Sequence, residues 1–456
     1  MKDALSACWP LLVGIALMML GNGLQGSLLG IRANLEGFPT AVTGLVMSGY
    51  YVGFLLGSFA TPKVLASVGH VRVFAALASL ASTTALIHAV FPDPYVWGLF
   101  RIIAGFCFAG LYIVSESWLN DAATNETRGQ ILSIYMVVTF AGMAGGQLLL
   151  TVSDPGGFQL FIIVSVLVSL ALVPSALTAS PMPSMEQPEK LGIKDLYRIS
   201  PLSVVGIIIV GVIYGGFFSM AAVYGEMIGL SLGQISVFIS LSIMGGALLQ
   251  FPIGRLSDKL DRRIILLGTA ALAVMAALLV LQTQSMADKI WFMVAATLFG
   301  GFCFPLYSLC IAHTNDYLEP GQMVAASSGL ILLNGFGAVI GPIMVSALMS
   351  QFGAIAFFLF MAVTNLVIVA FTLVRMTARS AVPLDDQVDF VAMPVRSGYM
   401  AVNMNPESEE WDEEDEADAT PKMSKASMSI LEDIDSDDDD EDGLMDDGPT
   451  LWNRNG

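Results

Sequence analysis

Ionisable residues are scarce in the apolar parts of this chain, so each one placed there raises a chemical question. Arg101 stands in LFRIIAGF, residues 99–106. A guanidinium at the centre of a helix in hydrocarbon costs at least about 2.5–3.5 kcal/mol, so Arg101 is expected to face a partner or water. It is also near enough to the outer end of its run to snorkel to the headgroups. Glu36 and Glu226 close two other apolar runs, and Arg32 stands one helical turn before Glu36. A carboxylate there can take up and release a coupling proton, with Arg32 or Arg101 as the cation that lowers its pKa; the bland alternative is a loop carboxylate. Deep uncharged polar groups form a second set: Asn22 and Gln25, three apart and so on one helix face, with Gln147, Tyr214, Gln250 and Asn334. In lipid such groups either line a cavity or bridge helices. Together they describe a cavity with hydrogen-bonding capacity, aromatic surface and few fixed charges. A phosphate-binding glycine loop, a metal-ligand cluster and a nucleophile triad are all missing, and His70, His88 and His313 are scattered. The chain reads as neither an ATP-driven pump nor an enzyme, and as needing no cofactor or metal.

The elements that must hold these residues are membrane helices. With 456 residues, 55% hydrophobic, 13% charged and a mean hydropathy of +0.72, the chain has too little polar surface for a water-soluble globule. Apolar runs repeatedly reach the roughly 20 residues that cross a bilayer. Twelve spans are predicted, at about 9–30, 40–61, 72–91, 96–118, 130–151, 157–177, 203–224, 234–253, 264–283, 290–312, 323–348 and 353–375. The net charge of −19 is local: residues 1–379 hold 16 Lys+Arg and 16 Asp+Glu, and residues 380–456 hold 4 and 23. With the N-terminus inside, thirteen basic residues fall on the cytoplasmic side of the spans and two, Arg32 and Lys289, outside. Positive residues are retained inside, so both termini are expected in the cytoplasm of a bacterial inner-membrane protein. Cys8, Cys107, Cys303 and Cys310 lie in or beside apolar runs and read as packing residues.

One phrase occurs twice. GFCFAGLYIVSESWLND, residues 105–121, is echoed by GFCFPLYSLCIAHTND, residues 301–316, in the fourth and tenth predicted spans. Six helices per copy in the same orientation imply a parallel repeat. The expected fold is therefore an all-α polytopic membrane protein: six-helix bundles at 1–178 and 202–379, a Pro- and charge-rich cytoplasmic linker at 179–201, and an acidic tail at 380–456. The tail runs EEWDEEDE and DSDDDDEDG repel themselves and predict disorder. Trp411, Leu444, Met445 and Trp452 are its candidate anchors for a cytosolic protein, and the basic stretch 255–263 is an alternative electrostatic target for it.

GRLSDKLDRR, residues 254–263, resembles the loop signature of the major facilitator superfamily position for position. GIRANLEGF, GHVRVFAAL and SESWLN resemble its uncharacterised YcaD-type subgroup. The resemblance covers about residues 5–378 and implies a twelve-helix transporter. Gly254, Asp258, Lys259, Arg262 and Arg263 would then form a charge latch that holds one conformation and breaks in the other. In the first-half loop Thr61 and Pro62 stand where the aspartate is expected, so Glu116 with Arg128-Gly129 is the substitute, similar to the E…RG arrangement of many facilitators. Arg101 and Gly105 match the R-x-x-x-G that the superfamily associates with proton coupling. GMAGGQ, residues 142–147, lacks the proline of the antiporter signature, and GAVIGP, residues 337–342, is read like it as small-residue packing.

The expected function is a monomeric secondary transporter that moves a small, uncharged or weakly charged organic solute by alternating access, with the proton as its coupling ion. Its partners would be that solute, the lipid bilayer and a cytosolic protein at the tail, with no nucleic acid. The competing reading is a membrane receptor or scaffold that senses a ligand and recruits its partner through the tail.

Overall fold

The computed structural model describes residues 2–123, 127–177, 191–318, 322–393 and 401. The tail's acidic runs and its anchor residues lie outside these, as does most of the linker. The described chain is helical: α1 Lys2–Leu35, α2 Thr40–Val68, α3 His70–Val90, α4 Pro94–Asp121, α5 Arg128–Leu148, α6 Gln159–Leu177, α7 Ile193–Ile199, α8 Pro201–Met227, α9 Leu232–Ser257, α10 Arg262–Thr283, α11 Ile290–Cys303, α12 Pro305–Asn315, α13 Met323–Phe352 and α14 Ile355–Ala378. Eleven stretches among the described residues are long and apolar enough to span a membrane, α11 and α12 counting as one, and α6 is a shorter apolar helix. Two details differ from expectation. The tenth span breaks at Phe304, because Pro305 has no N–H for the ladder. The short α7 lies in the linker.

Local chemistry sets the ends. Asp93 accepts from Tyr95 N and Val96 N with Pro94 at the first helical position, and Ser231 with Gln234 forms a capping box before α9. After α1 and α8 the chain turns identically: Phe38 N bonds Ala33 O, Leu230 N bonds Gly225 O, and Gly37 and Gly229 both sit at φ 76°. Such a cap needs the left-handed region that glycine enters without strain. The twin turns lie at equivalent places in the two halves. Helix pairing repeats too: α1 packs on α5, α2 on α4 and α3 on α6, while α8 packs on α13, α9 on α11 and α10 on α14.

Successive spans run up and down, so one face collects the α2–α3 turn, the α4–α5 connection, the α9–α10 turn and α7. We call it the linker face. Across the opposite face the two halves are in contact. There a Cβ on Gly30 would meet Val223 at 3.2 Å, Ser240 donates to Ala144 O at 2.8 Å, and Asn34 hydrogen-bonds Glu226. The outward sides of the helices are apolar; Leu359, Leu366 and Leu373 of α14 are about half exposed, as lipid-facing residues are.

Residues 380–393, expected in the tail, instead form an extended strap packed against the second half. Their acidity is modest and their apolar content is not: Val382 and Met393 are buried.

Candidate functional site

Midway between the faces, polar groups from several helices converge. Asn22 of α1 donates to Tyr50 Oη of α2 at 3.2 Å and to Tyr112 Oη of α4 at 2.7 Å. Tyr112 reaches Met19 Sδ at 3.6 Å. Arg101 lies over the Tyr50 ring, its Cζ 4.6 Å from the centroid, and is only 4% exposed. The side chain therefore points into the bundle, and snorkelling is not what it does here. A cation on an aromatic face recovers part of its lost hydration. Gly105, one turn on, is a packing residue: a Cβ there would overlap the Tyr50 carbonyl oxygen, and Gly53 meets Ile102 O in the same way. These two glycines bring α2 and α4 close enough for Arg101 to reach the ring.

Glu116 is completely buried near the linker-face end of α4 and accepts from Tyr135 Oη of α5 at 2.8 Å. Tyr307, on α12 of the second half, lies close enough to Glu116 to feel its charge. Arg128 opens α5. On the other side of the cluster Tyr214 donates to the carbonyl of Phe304, where the helix breaks, and packs among Phe218, Phe304 and Tyr307.

The remaining polar residues divide by partner. Gln147 donates to Gly23 O at 2.8 Å and accepts from Ser27, and Asn334 donates to Ile207 O at 3.2 Å; both bridge helices. Gln250 donates to Ser308 Oγ at 2.9 Å and to Met393 O of the strap at 3.2 Å. Gln25 is fully buried, and neither end of its amide has a hydrogen-bond partner. Within the set Gln250 leaves its Oε1 unpartnered as well, whereas Gln25 leaves both ends of its amide unused.

Glu36 and Glu226 both lie at the end of the first helix of their half, but the matched turns align Glu226 with Asn34 and Glu36 with Ile228, and their partners differ. Glu36 pairs with Arg32 at 2.6 Å, and Arg32 also donates to the carbonyls of Pro155, Gly156 and Gly157. Glu226 meets Asn34 from the other half. At the linker face Asp261 caps α10 and holds Arg263 at 2.8 Å; those hydrogen bonds outweigh burial and keep its carboxyl below the usual range. Arg262 is buried and binds Asp316 at 2.6 Å, Asp258 at 3.3 Å and Ala312 O at 2.8 Å. Lys259 is exposed in the turn. Burial raises the carboxyls of Asp258 and Asp316, that of Asp316 to about 7.

Sequence reasoning missed Tyr50, Tyr112, Tyr135, Tyr307, Ser308 and Asp316. A signal existed for three of them. Tyr112 and Tyr307 are the tyrosines of the repeated GFCF phrase, and Asp316 is its closing aspartate. All four cysteines are buried and free. Among the described residues there is no cluster of three or more His, Cys, Asp or Glu that could hold a metal ion.

Comparison with known proteins places this geometry. The profile of the Major Facilitator Superfamily matches residues 11–247 and 228–396. Proteins described as uncharacterized MFS-type transporter YcaD are similar: that of Salmonella arizonae is 28% identical over 357 residues, 77% of this chain and 91% of that protein. One from Escherichia coli K12 is 26% identical over 344 residues, 75% and 88%. Among solved structures the nucleoside transporter NupG superposes with a TM-score of 0.68 at 12% identity, over 81% of this chain and 99% of that one. A bacterial homologue of the human lysosomal transporter Spinster, inward-facing and occupied, gives 0.69 at 16% identity, over 83% and 97%.

Proposed function

This chain belongs to the major facilitator superfamily, and we propose that within it the protein carries a small, uncharged or weakly charged organic solute across the bacterial inner membrane by alternating access, coupled to protons. The linker face, with its basic loops, is the cytoplasmic one. One observation carries the reading. The halves meet along the opposite face, while at the linker face a cleft of about 260 Å3 separates Gly129, Leu132, Ser133 and Met136 of α5 from Phe251, Arg255 and Asp258 of α9. Between the two levels lies the cluster of Asn22, Gln25, Tyr112, Glu116, Tyr214 and Tyr307. A bundle pair closed at one end, with hydrogen-bonding and aromatic groups at its centre, is half of a rocking cycle.

The site's chemistry favours a neutral solute with hydrogen-bonding groups and an apolar or aromatic face. Arg101 and Glu116 are its buried charges, and neither replaces the other's role: Arg101 neighbours the outer half of the path and Glu116 the inner. Arg101, Glu226 and Glu36 with Arg32 remain the proposed coupling groups, and Asp258, Arg262, Arg263, Glu116 and Arg128 the conformational latch.

A ligand screen by thermal stability, followed by flux into proteoliposomes with an imposed pH gradient, tests the proposal. Wild-type protein is expected to accumulate the solute uphill. Arg101→Ala is expected to bind it and lose the uphill accumulation. Binding with no flux under any gradient would favour the receptor reading, and unchanged uphill transport in Arg101→Ala would remove Arg101 from the coupling path.

A further inference from the structure

The strap touches the very residues expected to form the latch. Val388 N donates to Asp316 Oδ1 at 3.2 Å, Val388 O accepts from Arg262 Nη2 at 2.7 Å, and Phe390 N donates to Asp258 Oδ1 at 2.8 Å. Deeper in, Met393 N donates to Ser308 Oγ at 3.0 Å, and Met393 O accepts from Gln250 Nε2 at 3.2 Å and from Ser308 at 3.3 Å. Val388, Phe390 and Met393 of an extended segment thus bind side chains in or at the ends of α9, α10 and α12. The side chains fit as well. Met393 is 2% exposed, and Phe390 lies on Gly254, where a Cβ would overlap its ring. The glycine that opens the latch motif is therefore also the seat of an aromatic residue more than 130 positions away.

Position gives this contact a consequence. Phe390, Val391 and Ala392 line the same cleft as Gly129–Met136 of α5, in the first half, and Phe251–Asp258 of α9, in the second. Closing the linker face requires these two helix ends to approach, and the strap stands where they would meet.

We propose that residues 388–393 are an internal wedge, docked in a groove of α9, α10 and α12, that holds the parted linker face open and must leave before the transporter can switch. This rests on the alternating-access reading. The wedge works by main-chain hydrogen bonds and one aromatic seat, so its hold does not depend on the acidic runs further along. Asp258 and Arg262 bind the strap in the parted state, and strap release frees them for partners in the other. The latch is thereby made conditional on a segment of the chain's own C-terminal region.

The test uses the full chain lacking its four native cysteines, reconstituted in nanodiscs, with single cysteines probed by a membrane-impermeant maleimide. Met393→Cys is expected to react on the order of tenfold or more slowly than Asp386→Cys, which is exposed, because labelling requires local opening. Adding Phe390→Ala should accelerate Met393→Cys and also Val223→Cys, which is 5% exposed at the contact of the two halves on the opposite face. Ser308→Ala is a second releasing variant if Phe390→Ala does not fold, judged by gel filtration. Fast labelling of Met393→Cys in the parent would overturn the docking. Ready labelling of Val223→Cys in the parent with Met393→Cys protected would show the halves exchanging with the strap in place, which removes the wedge and leaves alternating access standing. Released strap with Val223→Cys protected in every variant would sink both.

Discussion

Gln25 separates a transport site from a packing core. A buried amide without partners costs about 1–3 kcal/mol, and removing it with an apolar residue of similar size relieves that cost. Gln25→Leu is therefore expected to leave thermal stability in detergent unchanged or raised by about 1 kcal/mol, while weakening solute binding. Loss of stability would mean that the amide is structural. Asn22 makes the opposite case, with two tyrosine hydroxyls attached. At this scale the sequence exposed the right residue types and hid their allegiances. Depth and polarity marked Asn22, Gln25, Gln147 and Asn334 alike, because hydropathy carries no information on which carbonyl lies across a helix contact. Tyr214 was counted among the deep polar groups and the other tyrosines were not, because a tyrosine ring packs as an apolar group and the partner of its hydroxyl is not written in the sequence; the repeated phrase was the signal that pointed to Tyr112 and Tyr307.

Among the elements, α2 and α4 approach through Gly53 and Gly105, and backbone oxygens occupy the space a side chain would need. Backbone cannot give way as a flexible side chain does, so Gly105→Ala is expected to cost about 2–3 kcal/mol, at the upper end of overpacking. A melt in detergent checks this, and an unchanged midpoint would contradict the packing. The groups under the strap offer a pH test. Burial raises the carboxyl of Asp316 to about 7, with Asp258 and Asp261 pushing the same way, while Arg262 and the Val388 N–H of the strap pull it down. A carboxyl whose pKa is raised on folding takes up a proton as the protein folds, so its contribution to stability is fullest below the ordinary 3.8 of an aspartate and is lost as pH rises through about 7. The thermal midpoint in detergent should be higher at pH 5.5 than at pH 8, and Asp316→Asn should flatten the difference; the reverse slope would contradict it. Length and apolarity made the spans legible, eleven as membrane-length stretches among the described residues and the sixth as the shorter apolar α6; the break at Phe304 was not expected, although Pro305 is its cause. The strap was not, since charge counting averages its apolar residues, Val382, Val388, Phe390, Val391 and Met393, with the acidic runs that follow.

For the whole molecule, duplication explains both the likeness of the halves and their difference. Helix pairings and the twin glycine turns repeat, as the proposed motion of each half as one body requires. The charges do not repeat: Arg101 corresponds to Thr297 and Glu116 to Ile311, while the carboxylates and arginines around Arg262 belong to the second half alone. In the proposed cycle the first half supplies Arg101 and Glu116, with Arg128 as its share of the latch, and the second half supplies Asp258, Arg262, Arg263 and the wedge. The central claim is that the halves rock about the cluster between them. Spin-label distances test it most directly, one pair across the linker face at Ser133 and Arg255 and one across the opposite face at the exposed Leu35 and Met227, in the full chain without its native cysteines. The account predicts two populations at each face whose weights change in opposite directions, long at the linker face when short at the other, and shift together when Phe390→Ala releases the strap. A single invariant distance at both faces, across pH 5.5 to 8 and in the released variant, would contradict it.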